Sequence, residues 1–194
     1  MTLQRIGTKL FLAENSEVDP AALVPVFQRW IQRRQLPGLL IDVADYSHAH
    51  HGPGIMLICN EGDLSLDFGA GRPGLLYVRK REHHAGLTDG LLQCARMCLL
   101  AADLLQREQG LPDIRLELNE MDAILVDRLR APNTEAGYDA LRPQLAIFAY
   151  RLYGDANLTR ISGDPRDYLC VSVRAGDRQT LAEMLARTAP ASVL

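Results

Sequence analysis

Long hydrophobic runs are missing from this chain. No stretch approaches the roughly 18 apolar residues of a membrane span, so no membrane partner is expected. Strong charge of either sign is missing too. The net charge is −3 at pH 7 over 194 residues, which gives no basic field to hold nucleic acid. Aromatic residues are scarce, at 6%, and they are not interleaved with the charges, so no stacking surface for bases is expected. The N-terminal MTLQRIGTKLFLAENSE has too short an apolar core for a secretory leader and meets an acid at Glu14; it reads as a first strand. There are four cysteines, Cys59, Cys94, Cys98 and Cys170, with no C-x-x-C pair among them. Their apolar neighbours suit reduced, buried thiols in a cytosolic protein better than disulfides.

Familiar catalytic motifs are also lacking. There is no H-E-x-x-H, no G-x-S-x-G and no Gly-Lys-Ser/Thr. Gly69–Gly74 reads GAGRPG and matches G-x-G-x-x-G letter for letter. A dinucleotide fingerprint needs a helix directly after it. Here a strand is expected to follow, so the glycines read as a hairpin loop.

What remains is an ordinary globular composition, 47% hydrophobic and 23% charged, sized for a single domain over residues 1–194. Alternation predicts strands at Ile6–Leu12, Leu39–Val43, Ile55–Ile58, Leu64–Phe68, Leu75–Arg79, Ile114–Leu118, Ala123–Val126, Asn157–Ile161 and Tyr168–Arg174. Helical spacing of Leu23, Val26, Phe27, Trp30 and Ile31 predicts a first helix, opened by Asp19-Pro20. A long, nearly all-apolar helix from Thr88 or Asp89 to about Gln109 should be packed on more than one side. A third helix is expected from Asn133 or Thr134 to Tyr153, and a last one from Asp177 to Arg187. The expected fold is therefore α+β, a mixed β-sheet with packed helices. ALVPVFQRWIQ (22–32) and ALRPQLAIFAY (140–150) each carry proline at the fourth place. They suggest two pseudo-symmetric β-α-β-β halves, 5–110 and 111–188, around the long helix.

Two polar segments stand out. DYSHAHHGPG (Asp45–Gly54), with Asp42 just before it, gathers three of the five histidines beside a Gly-Pro-Gly turn. On an extended chain Asp42, Tyr46, His48 and His50 share a face. Two imidazoles at i, i+2 with a carboxylate can hold a divalent metal, so Asp42, His48, His50 and His51 are candidate ligands and Asp45 a candidate ligand-binding residue. The plainer reading is a polar hairpin loop. The second segment, RKREHHAG (79–86), is the only basic cluster. Arg79, Arg81, His83 and His84 precede a helix N-terminus, where a phosphate or carboxylate could dock; a solvated strand end is the alternative. Asp127–Thr134, DRLRAPNT, reads mainly as strand end, turn and helix cap.

DYSHAHHGPG and DRLRAPNT together resemble the two signatures of an uncharacterised family of bacterial proteins. The resemblance implies a bacterial cytosolic origin and carries no activity, so it lends no catalytic residue. Three functions remain open on the sequence: a cytosolic ligand-binding protein using a divalent metal, with a small-molecule partner; a non-catalytic protein-interaction protein, with a homodimer as the default; and a binder of a small phosphorylated anion at Arg79–His84.

Overall fold

The structure, a computed structural model, describes residues 3, 5–14, 16, 18–48, 52–81, 86–109, 111, 114–161 and 163–190. Eight strands form one sheet: β1 (Ile6–Leu12), β2 (Leu40–Tyr46), β3 (Gly54–Cys59), β4 (Gly62–Asp67), β5 (Gly74–Arg79), β6 (Leu116–Leu125), β7 (Ala156–Arg160) and β8 (Leu169–Ala175). Their order is β2-β3-β4-β5-β1-β6-β8-β7, and every pairing is antiparallel. The helices are α1 (Leu23–Arg33), α2 (Gly86–Arg107), α3 (Glu135–Tyr153) and α4 (Leu181–Arg187). The fold class is α+β.

The register sorts the side chains into two faces. Thr8, Tyr77, Leu64, Leu57, Ala123 and Val171 lie in one row across the sheet. All are buried, and Thr8 meets Cys98 of α2 at 3.5 Å. This face carries the helices: α1 over β2 and β3, α2 over β1 and β5, α3 over β7 and β8, and α4 against α2 and α3. Their burial is the main stabilising term, roughly 1.5–3 kcal/mol for each large apolar side chain. The next row, with Lys9, Leu76, Ser65, Met56, Asp122 and Ser172, points to the opposite face. None of the four helices covers it.

The helix ends follow from local chemistry. Asp19 accepts from the Ala21 amide and opens a 3-10 turn, Pro20–Ala22, that leads into α1. Thr134 caps α3 through the Gly137 amide. Gly154 ends α3 at φ 82, a backbone region that costs glycine little. Thr180 and Glu183 form a reciprocal capping box on α4, which displaces the expected start at Asp177. α2 begins at Gly86, upstream of the expected caps. Thr88 donates instead to the Gln144 carbonyl, and Asp89 pairs with Arg151. Two expected strands, Ile114–Leu118 and Ala123–Val126, are one: β6 runs through the polar Asn119–Asp122 because Glu120 and Asp122 face the helix-free side. At β2, a register shift between Leu40 and Asp42 puts Ile41 out of the alternation. Leu39 and Ile41 are then 64% and 53% exposed, and Leu40 enters the core. Among the described residues no helix is long and apolar enough to cross a membrane.

Candidate functional site

β2 is an edge strand, so the histidine segment begins at the rim of the sheet. Asp42 and Asp45 are three residues apart and point to opposite faces. Asp42 Oδ1 accepts from the Val43 amide at 2.8 Å. Asp45 Oδ1 accepts from the Ser47 hydroxyl at 2.6 Å and the Ser47 amide at 2.8 Å. These two bonds, the hydroxyl foremost, hold its carboxyl below the usual carboxylate range. They also close the turn that ends the strand. The His48 ring lies 6.5 Å from the Tyr46 ring, centroid to centroid. His50 and His51 lie outside the described residues, as do His83 and His84. Among the described residues, no three His, Cys, Asp or Glu side chains converge as a metal-ligand set.

The basic cluster divides. Arg81 turns to the β3–β4 connection, where Nε donates to the Asn60 carbonyl and Nη2 to Asn60 Oδ1, both at 2.9 Å. Lys80 pairs with Asp63. Arg79 turns to α2: Nη1 donates to Gln93 Oε1 at 2.7 Å, Nε reaches the Arg81 carbonyl at 3.3 Å, and Nη2 lies 3.7 Å from Glu61.

Arg79 thereby lines a cleft of about 670 Å³ between α2, the Pro37-Gly38 turn, α3 and the end of α4. One face of α2 forms its wall, from Asp89 through Leu92, Gln93, Arg96 and Met97 to Leu100. Tyr77 adds its ring, and Arg151 of α3 a third guanidinium. Arg96 Nη1 donates to the Leu185 carbonyl at 2.9 Å, and Arg151 Nη1 to Asp89 Oδ1 at 2.5 Å. The other N–H groups of Arg96 and Arg151 have no protein partner among the described residues. Of these three guanidinium groups only Arg79 stands in the basic run of the sequence. Arg96 was visible as a polar interruption of an apolar helix, but Arg151, on another helix, gave no signal.

A second cavity, about 870 Å³, opens on the helix-free face beside Arg72, Glu120 and Arg174. Glu120 accepts from Arg72 at 3.0 and 3.2 Å and from the Ser172 hydroxyl at 3.1 Å, and lies 3.1 Å from Arg174. Burial acts to raise its carboxyl, but the Arg72 and Ser172 hydrogen bonds and the two guanidinium charges prevail and hold it low. Arg72 also stacks on Phe11, 3.8 Å from the ring centre. Next to it Lys9, only 4% exposed, donates to Asp67 at 2.6 Å and to the Gly69 carbonyl at 2.9 Å. Asp122, 7% exposed, faces Lys9 across the β1–β6 pair. Its Oδ2 receives the Cys170 thiol at 3.4 Å, whereas Oδ1 has no partner among the described residues. Burial, with Glu120 adding to it, raises the Asp122 carboxyl.

Thiol nucleophiles are disfavoured here. Burial pushes Cys59 and Cys94 up to about 12 and Cys98 to about 11, and raises Cys170 as well. A thiolate site needs the opposite shift. In the DRLRAPNT segment Asp127 receives the Arg130 amide, Arg128 donates to the Arg166 carbonyl, and Asn133 bridges Arg160 and Asp164. No family model matches the chain, and no curated protein matches it.

Proposed function

We propose that the protein binds a small anionic molecule in the α2 cleft. The observation that carries this reading is the convergence of Arg79, Arg96 and Arg151, from a strand and two helices, on one concave site. Guanidinium groups recognise carboxylate and phosphate through paired N–H donors, and a pocket with a few convergent polar groups is the usual form of a small-molecule site. This is the anion reading of the basic cluster, kept for Arg79 and moved from Arg81 to two arginines on the helices. The expected cytosolic setting remains part of the proposal, supported by four free cysteines. The test is isothermal titration with inorganic phosphate and a panel of carboxylates. Binding that falls tenfold or more in Arg79→Gln and in Arg151→Ala supports the reading. Binding indifferent to both substitutions refutes it.

The interaction reading has its own support. Ala136, Ala140, Pro143, Ile147 and Tyr150 recur at helical spacing on the exposed side of α3, and such a seam suits a second copy of the chain. Sedimentation of the wild type against Ile147→Glu tests it, and a monomer in both refutes the dimer. The duplication likewise stands as a proposal: β2 and β7, the strands after α1 and α3, each pair with the strand that follows them and lie at an edge of the sheet, although β2 is four strands from β1 and β7 two from β6.

A further inference from the structure

We infer that the ligand of the α2 cleft is an amphiphilic monocarboxylate, an aliphatic chain ending in one carboxylate; this deepens the anion reading and rests on it. Two features of the cleft decide the class. The first is charge. Among the described residues its lining has three guanidinium groups, Arg79, Arg96 and Arg151, against two carboxylates, Glu61 and Asp89. One positive charge is left over, which a singly charged head neutralises and a multiply charged one exceeds.

The second feature is the apolar part of the wall. Leu100, Pro37 and Pro190 present apolar surface to the cleft, backed by the buried Leu92, Met97 and Tyr77. A bare inorganic anion would leave this surface in contact with water. An aliphatic chain would cover it, and each methylene taken out of water strengthens binding roughly fourfold. At 1.5 Å per residue, Asp89 to Leu100 spans about 16 Å, a length shared by a head at Arg96 and Arg151 and a chain of medium length.

The head has a prepared seat. Arg96 is already held by the Leu185 carbonyl and Arg151 by Asp89, so fixing them costs little further side-chain freedom. Their remaining N–H groups can bind both oxygens of a carboxylate.

The experiment is calorimetric titration of the full chain with butanoate, octanoate, octanol and inorganic phosphate. It is repeated on Arg151→Ala and Leu100→Asn, with circular dichroism confirming that each variant is folded. The inference expects octanoate to bind about 250-fold more tightly than butanoate. It expects Arg151→Ala to weaken octanoate at least tenfold, and Leu100→Asn to weaken octanoate while sparing butanoate. If phosphate and butanoate bind as well as octanoate and all depend on Arg151, the amphiphile is overturned and the anion reading stands. If octanol matches octanoate and Arg151→Ala changes neither, the anionic head is overturned and the anion reading with it. No binding by any probe at millimolar concentration overturns both.

Discussion

Replacing Asp122 by asparagine should change how stability depends on pH. Asp122 sits on β6 opposite Lys9 of β1 and Ser172 of β8. Its natural counterion is spent elsewhere, since Lys9 donates to Asp67 and Gly69. One carboxylate oxygen has a thiol, and the other has no partner among the described residues. Burial therefore favours the protonated acid, and Glu120 on the same face of β6 adds to the effect. The group binds its proton more tightly in the folded chain than in the unfolded one. Its contribution to stability is full below the ordinary carboxyl value of 3.8 and is lost as pH rises through the higher folded value.

The slope is bounded. One proton taken up on folding costs at most about 1.4 kcal/mol of stability per pH unit as pH rises across that window. The carboxamide of the Asp122→Asn variant would mimic the protonated acid and has no proton to lose. Urea unfolding from pH 4 to 8 should thus show wild type and Asp122→Asn nearly equal at the acid end. The variant should gain with rising pH, to an advantage of about 1–3 kcal/mol near pH 8. The other charged groups of this face are common to both proteins, so the difference between the curves isolates position 122. Parallel curves would refute the reasoning. A wild type that gains on the variant as pH rises would show Lys9 serving Asp122 instead of Asp67.

The core and the thiols give sharper tests of packing. Leu10→Ala, at a fully buried position on the helix side of β1, should cost about 2–5 kcal/mol in urea unfolding. Leu129→Ala, 97% exposed, should stay within about 0.5 kcal/mol of wild type; an equal loss at both positions would contradict the burial. With their thiols raised by burial, Cys59, Cys94 and Cys98 should react with an aromatic disulfide at pH 8 only after denaturation, and rapid labelling of the native protein would argue against the packing of α2. Protein purified without a histidine tag should contain near-stoichiometric metal, lost in His48→Ala/His50→Ala, if the Asp42–His51 segment is a metal site; elemental analysis showing none, and no uptake on titration, would end that reading.

Much of the framework was legible because period and punctuation agree. Ile6–Leu12 became β1 residue for residue, and the stripe Leu23, Val26, Phe27 and Trp30 became the buried face of α1. The failures share a cause. A polar stretch such as Asn119–Asp122 looks like a turn when one face is assumed dry and the other wet. Here the helix-free face carries paired charges, so polar residues sit mid-strand. The bulge at Ile41 is equally silent, because a shift of one residue leaves composition unchanged and reverses which side chains are buried. At the cleft, Arg79 is marked in the sequence by its basic neighbours, but Arg81, two residues on near the strand end, meets different partners. Arg151 lies 72 positions from Arg79 along the chain, and only tertiary packing of α3 against α2 brings it to the same site.

The two cavities invite the question of why the smaller one carries the functional reading. The answer lies in what their charges already hold. On the helix-free face, Lys9 ties β1 to Asp67 and to Gly69, while Asp67 also receives the Gly69 amide at 3.1 Å. At the other end of the same β4–β5 connection, Arg72 covers Phe11 and pairs with Glu120 on β6. These bonds stitch the connection across the sheet, and that task accounts for keeping such costly groups buried. Hydrophobic replacements would serve bulk stability as well or better, but they would not fix a loop. The Glu120 carboxylate is already met by Arg72, Arg174 and Ser172, which leaves a ligand little to gain there. In the α2 cleft the balance is reversed. Arg96 and Arg151 each make one bond to the protein among the described residues and keep donors over, next to the apolar wall of the cleft. A ligand there would gain interactions the protein does not already make for itself, and this difference, more than volume, is why the proposal rests on the cleft.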